Sequence, residues 1–266
     1  MADPLFTLQA MPAIAARLAL RGFDPATMLR TAGLPESQLE AEVTAPLSRL
    51  TAFMDAAAAK LEDPILGITL ADTLDPSAFG FTAFASRAAP TVRLGLRTLS
   101  DLAALINPIG LFTLHERSPT ATLEYVVAGS DRGLGCHLNE HTLWLVARYA
   151  KDALAGGFPL ERAWVLHHRD ALGIAALEAR LECSVEFGAP SVGFSFASAL
   201  LDARPRGADE QLFEFLTAQA RGLLDARTSD VIAAVMRAIE LRIADPQLGI
   251  SKIAKVLALS PRSVQR

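Results

Sequence analysis

The sequence predicts an α+β fold: helices packed on a small antiparallel sheet, followed by the start of an all-α helix-turn-helix domain. Three observations carry this reading. Apolar residues recur at three-to-four spacing through the N-terminal third, short β-rich runs follow Asn107-Pro108, and the C-terminal stretch is helical again around a tight turn. With 266 residues, 51% of them hydrophobic and 20% charged, the chain can bury a large core, which excludes disordered and fibrous classes.

The elements follow in order. Leu5–Leu20 and Pro25–Ala32 each have helical apolar spacing and each ends at a glycine, Gly22 and Gly33. Leu50–Leu61 is an Ala-rich helix, and Asp63-Pro64 is placed to start another through Ile65–Leu74, with the aspartate as cap. Phe79–Ala88 and Val92–Ile106 continue the helical pattern. Leu111–His115 and Ala121–Val127 then alternate around Ser118-Pro119, as a hairpin does. Asn139 is placed to cap a helix over Glu140–Leu154. Ala163–His168 reads as a strand, Leu172–Arg180 as a helix, and Ser184–Phe187 and Val192–Phe196 as strands. Asp209–Leu224 is amphipathic, with Leu212, Phe215, Leu216, Ala220 and Leu223 on one stripe suited to packing on the sheet. Asp225-Ala226-Arg227-Thr228 reads as a linker. Residues 1–225 would then form one region and 229–266 a second.

No apolar stretch is long enough to span a membrane, and Asp3-Pro4 stand where an export signal needs basic residues. Two cysteines, Cys136 and Cys183, are too few for a disulfide scaffold, so a reduced, cytoplasmic protein is expected. The net charge of −4 argues against nucleic acid, but its distribution does not. Ser229–Arg266 holds six basic and three acidic residues, which leaves −7 on the remainder. The last nineteen residues hold four basic groups and no acid. An acidic body with a basic attachment is the pattern of a nucleic-acid reader.

Ile250–Arg266 supplies the parts of a helix-turn-helix. Ile253, Val256 and Leu257 form the apolar face, and Ala254 is the small residue at the crossing. Leu259 plugs the turn, and Ser260-Pro261 opens the second helix. Arg262, Ser263, Gln265 and Arg266 are its DNA-facing polar side chains. The run Leu259-Ser260-Pro261-Arg262-Ser263-Val264-Gln265-Arg266 resembles the first helix-turn-helix of AraC/XylS-type transcriptional regulators, with Ala258 where glycine is common. The body resembles the arabinose-binding-like N-terminal domain of one branch of that family. Phe79-Gly80-Phe81, Thr91–Leu105, Arg162–Arg180, Phe194-Ser195-Phe196 and above all Cys183–Pro190 carry the likeness. The resemblance implies an effector-binding, dimerising N-terminal region and a homodimeric, ligand-responsive regulator of DNA, of activator type. Such regulators carry two helix-turn-helix units, so the sequence reads as truncated within the first.

For the effector, the residues suggest an apolar pocket with a few orienting polar groups. Candidates are Phe79, Phe81 and Phe84 on one helix, and His137, His141, Trp144 and Arg148 at the helix after the hairpin, with His115 and Tyr125 on strands. Arg148 is placed to pair a carboxylate. The phenylalanines fit an ordinary core as well, and Arg148 a solvated surface.

The rival from another class is a metal-dependent hydrolase, because His137-Leu138-Asn139-Glu140-His141 has the inverted zinc-protease spacing. Capping by Asn139 would leave His137 outside the helix and break that geometry. His167 and His168 adjoin on a predicted strand and so point to opposite faces. No nucleophile elbow, phosphate loop or dinucleotide fingerprint is present. No catalytic residue, metal or cofactor is therefore predicted.

Overall fold

The computed structural model describes residues 3–35, 39, 42–127, 130, 132–240, 249–257 and 259–265. The chain opens not on a helix but on strand β1 (Leu5–Leu8), followed by α1 (Met11–Leu20). The strand pairs antiparallel with β2 (Val43–Pro46), which buries Phe6 and Leu8. On its other side Asn107 acts as a substitute strand. Its Oδ1 accepts from the Thr7 amide at 2.8 Å, and its Nδ2 donates to the Thr7 carbonyl at 3.3 Å. Both partners are remote in sequence, so local periodicity favoured the wrong state.

Helix α2 (Pro25–Thr31) starts at Asp24, whose carboxylate accepts from the amides of Ala26 and Thr27. Helix α3 (Leu47–Leu61) buries Leu50, Phe53, Met54, Ala57 and Leu61 on one face. Helix α4 (Leu66–Ala71) begins later than expected, since Asp63 turns the chain through its own bonds to Ile65 and Leu66 before the first full turn. A short 3-10 turn (Pro76–Phe79) leads into α5 (Gly80–Ala88), and Thr91 caps α6 (Val92–Ile106).

The main sheet contains β3 (Gly110–Glu116), β4 (Thr120–Val127), β5 (Arg162–Val165), β6 (Ser184–Phe187) and β7 (Val192–Ala197), in the order β3-β4-β7-β5-β6. Every pair is antiparallel except β5–β6, which α8 (Ala171–Leu181) joins as a crossover. Strand β7 lies at the centre, and Val192, Phe194 and Phe196 are all buried. Strand β5 stops at Val165, so His167 and His168 leave the sheet on a loop.

Helix α7 (Cys136–Ala153) packs between α4 and the sheet, and it starts four residues before the expected first residue. Gly135 precedes it, while Asn139 sits inside its first turn. From there Asn139 reaches back, accepting from the Leu134 amide at 2.9 Å and donating to the Arg132 carbonyl at 3.2 Å. Asn139 thus ties down the helix start from within, and His137 lies in the helix rather than outside it. Gly67 allows α4 and α7 to touch, because a Cβ there would collide with the His137 carbonyl.

Helix α9 (Glu210–Glu240) is continuous through Asp225–Thr228, which is therefore helix and not linker. That tetrapeptide contains no Gly or Pro, so nothing in it interrupts the helix. The helix packs on α5 and α6 instead of the sheet. Ala220, Leu216 and Leu224 join Ala85 and Leu102 in a second small core, while Leu212, Phe215 and Leu223 remain exposed. Helices α10 (Ile250–Val256) and α11 (Pro261–Gln265) follow, with α10 against α9.

Candidate functional site

A cavity of about 150 Å³ lies between α5, α6, α7 and the β3–β4 hairpin. Its wall is mostly apolar: Phe79 and Ala83 from the α5 region, Leu96, Leu99 and Ile106 from α6, Phe112 from β3, Leu145 and Val146 from α7. Gly110 makes room for the Tyr125 ring, which packs at a tilt on Phe112 with centroids 4.7 Å apart. Burial raises the Tyr125 phenol above its ordinary range.

Several polar groups in the wall are already engaged. Thr82 Oγ1 donates to the Leu102 carbonyl, Asn107 serves Thr7, and Tyr149 donates its hydroxyl to the Leu74 carbonyl at 3.3 Å. His141 Nδ1 lies 3.0 Å from the Gly67 carbonyl and is thereby the donor nitrogen. Burial lowers the His141 pKa to about 4, so the ring is neutral. Ser86 Oγ is buried in the wall without a partner. Arg87 is exposed at the rim, and no Asp or Glu among the described residues lines the cavity.

Of the residues singled out by sequence, Phe79, Tyr125 and His141 line this cavity. Phe81 and Phe84 stand on the outward face of α5, 39% and 45% exposed. His115 is exposed on β3 beside Glu124. Trp144 and Arg148 occupy the face of α7 opposite the cavity. Trp144 Nε1 donates to Asp72 at 2.7 Å, and its ring is covered by the Arg180 guanidinium and the Lys151 ammonium. Arg148 donates to the Leu74 carbonyl at 2.7 Å and lies over the Tyr149 ring. The Trp144–Arg148–Lys151 stripe was legible, but its partners are α4, α8 and the chain at Leu74. The opposite stripe, Thr142, Leu145, Val146 and Tyr149, meets the cavity, and its i, i+3, i+4, i+7 spacing was the available signal.

His137 belongs to a different, ionic cluster. Glu140, fully buried, receives a bidentate pair from Arg169 (2.7 and 2.8 Å) and a third bond from His167 Nε2 at 2.8 Å. Burial pushes the Glu140 carboxyl up, but the bonds from His167 and Arg169 outweigh it and hold it below the usual carboxylate range. His137 Nδ1 lies 3.2 Å from Arg169, and burial followed by that positive charge lowers its pKa. Among the described residues no three His, Cys, Asp or Glu side chains are grouped to hold a metal ion, and Glu140, the general base such a site would need, is engaged by Arg169. The objection raised from sequence, that His137 lies outside the helix, does not hold.

At the C-terminal end, Ile253 and Ala254 are buried, and the Leu259 amide donates back to the Ala254 carbonyl at 2.8 Å, closing the turn between α10 and α11. Arg262 and Gln265 are exposed on α11, with Lys252 and Lys255 exposed on α10. The Ser263 side chain and Arg266 lie outside the described residues.

Comparison with known proteins agrees with this architecture. Residues 22–205 match the N-terminal arabinose-binding domain of AraC transcription regulators. The HTH-type transcriptional regulator VirS of Mycobacterium tuberculosis, from strains CDC 1551 / Oshkosh and H37Rv alike, is 26% identical over 253 residues, covering 92% of this chain and 73% of VirS. The crystal structure of the transcriptional regulator CdpR from Pseudomonas aeruginosa shares the fold. It aligns with a TM-score of 0.54 at 17% identity, covering 96% of this chain and 76% of that one.

Proposed function

The chain belongs to the AraC transcription regulators that carry an arabinose-binding N-terminal domain, a ligand-responsive class, and we propose that its effector binds in the cavity between α5, α6 and α7. One observation carries the proposal. Helix α5 is at once a wall of the cavity, through Thr82, Ala83 and Ser86, and the bed on which α9 lies, through Ala85. A ligand that favours one position of α5 also favours one position of α9, and α9 leads to the DNA-binding helices. That is a population shift with a defined mechanical element.

In this reading residues 1–225 bind effector and self-associate, and residues 229–266 begin the DNA-binding part. Arg262, Ser263, Gln265 and Arg266 meet DNA. Phe79, Tyr125 and His141 are the effector contacts retained from the sequence; Trp144 and Arg148 hold α7 to its neighbours. The regulator acts as a cytoplasmic homodimer and activator, not as an enzyme. Self-association is supported by the large apolar residues exposed on the adjoining helices α5 and α9, among them Phe84, Leu212 and Phe215.

The test is a cavity-filling variant. Small molecules retained by the purified protein are identified by mass spectrometry for the wild type and for Leu96→Trp. In the complete regulator a promoter reporter then reads the response. Leu96→Trp should lose the retained molecule and leave reporter output independent of it. Equal retention and an intact response would refute the assignment.

A further inference from the structure

We infer that the cavity takes a compact apolar carboxylic acid, with its hydrocarbon part among Leu96, Leu99, Phe112 and Leu145 and its carboxylate on the Arg87 guanidinium. The inference rests on the cavity being the effector site and adds the chemical class of the ligand.

Size comes first. A closed apolar cavity of about 150 Å³ accommodates a body the size of benzene. The space here is about 150 Å³ and opens at a rim, so a six-carbon body fits inside with its polar end at the mouth. Polarity comes second. A sugar would bring several hydroxyls, each of which needs a partner once removed from water. The wall is mostly apolar, and Asn107, Thr82, Tyr149 and His141 Nδ1 already serve protein groups, so few polar groups are left to meet that need. An apolar body demands no such partners.

Charge decides the remaining end. Arg87 is the lining residue with a permanent charge, and among the described residues it makes no ion pair and no acid lines the wall. His141 does not add a second cation, since burial holds it neutral at pH 7. Beside Arg87, Ser86 Oγ is a buried hydroxyl without a partner, one residue away on the same helix. A guanidinium and an unpaired hydroxyl together match the two oxygens of a carboxylate. Arg148, the arginine favoured by sequence spacing, instead gives its charge to the Leu74 carbonyl on the far face of α7.

The experiment is calorimetric titration of the 266-residue chain at pH 7 with four probes: phenylacetate, hexanoate, phenylacetamide and L-arabinose. Both acids should bind at least about tenfold more tightly than the amide, as expected for a charge-assisted pair. Arg87→Gln should abolish that preference while leaving amide affinity and melting temperature unchanged, because Arg87 is exposed and outside the core. Leu96→Trp should block all binding. Equal affinity for acid and amide, a preference that survives Arg87→Gln, tighter binding of arabinose, or no binding of any probe would each overturn the assignment. If the co-purified molecule is still lost from Leu96→Trp in those cases, the cavity remains the effector site and only the acid class fails.

Discussion

Arg169→Met isolates the buried charge of Glu140. In the native protein the carboxylate is fully buried and receives two bonds from Arg169 and one from His167. Removing the guanidinium leaves a desolvated anion with His167 as its remaining donor. Breaking a buried ion pair from one side costs about 3–5 kcal/mol. For a chain of this size each kcal/mol moves the melting temperature by about 2–4 °C, so a drop of roughly 6–20 °C is expected. The pH dependence carries a second sign. Native Glu140 has a lowered pKa, so its contribution is complete above the unfolded value of 4.5 and is lost as pH falls through the lowered one. In the variant burial is no longer outweighed and the carboxyl rises. It then takes up a proton as pH falls, and the deficit against wild type shrinks. Thermal unfolding followed by circular dichroism at pH 8 and pH 5 should therefore give the larger gap at pH 8. The double variant Glu140→Leu with Arg169→Met should regain most of the loss, because both charges leave together. A single variant that loses less than about 1 kcal/mol, or a double variant no better than the single, would refute the reasoning.

Gly67→Ala should destabilise by about 2–4 kcal/mol, since the added methyl meets the His137 carbonyl and separates α4 from α7; urea unfolding measures it. Trp144→Ala should cost about 3–5 kcal/mol through the lost core packing and the Asp72 bond, with probe affinity in the cavity little changed in titrations below the melting point. His141 contributes through its neutral form. Its pKa falls from 6.5 to about 4 on folding, so its stabilisation is complete above pH 6.5 and lost towards pH 4, by at most about 3 kcal/mol. His141→Gln should flatten the decline in urea midpoint between pH 7 and pH 5. In the complete regulator Arg262→Ala should weaken operator binding by about 1–3 kcal/mol if it reads a base edge. If it contacts only phosphate, the salt slope should instead fall by about one. Gel shifts at two salt concentrations separate the two.

Much of this protein follows from local pattern. The hairpin of β3 and β4, the strands β6 and β7, and the helices α3, α6 and α8 stand close to where alternation and apolar spacing put them. The basic C-terminal helix pair follows likewise, because caps and turns are written in adjacent residues. What local pattern could not decide was which neighbour each face meets. Leu5–Leu8 is a strand because Val43–Pro46 and Asn107 arrive from far along the chain to satisfy its backbone. Helix α9 crosses the expected linker because α5 and α6 supply its bed and no Gly or Pro interrupts it there. On α7 two stripes were equally legible, one aromatic and charged, one plain and apolar. The charged stripe is held by Asp72, Arg180 and the Leu74 carbonyl, and the plain one lines the cavity. A side chain's chemistry is a property of the sequence, but whether its charge is spent on a carbonyl or left open at a cavity rim depends on which elements pack against it.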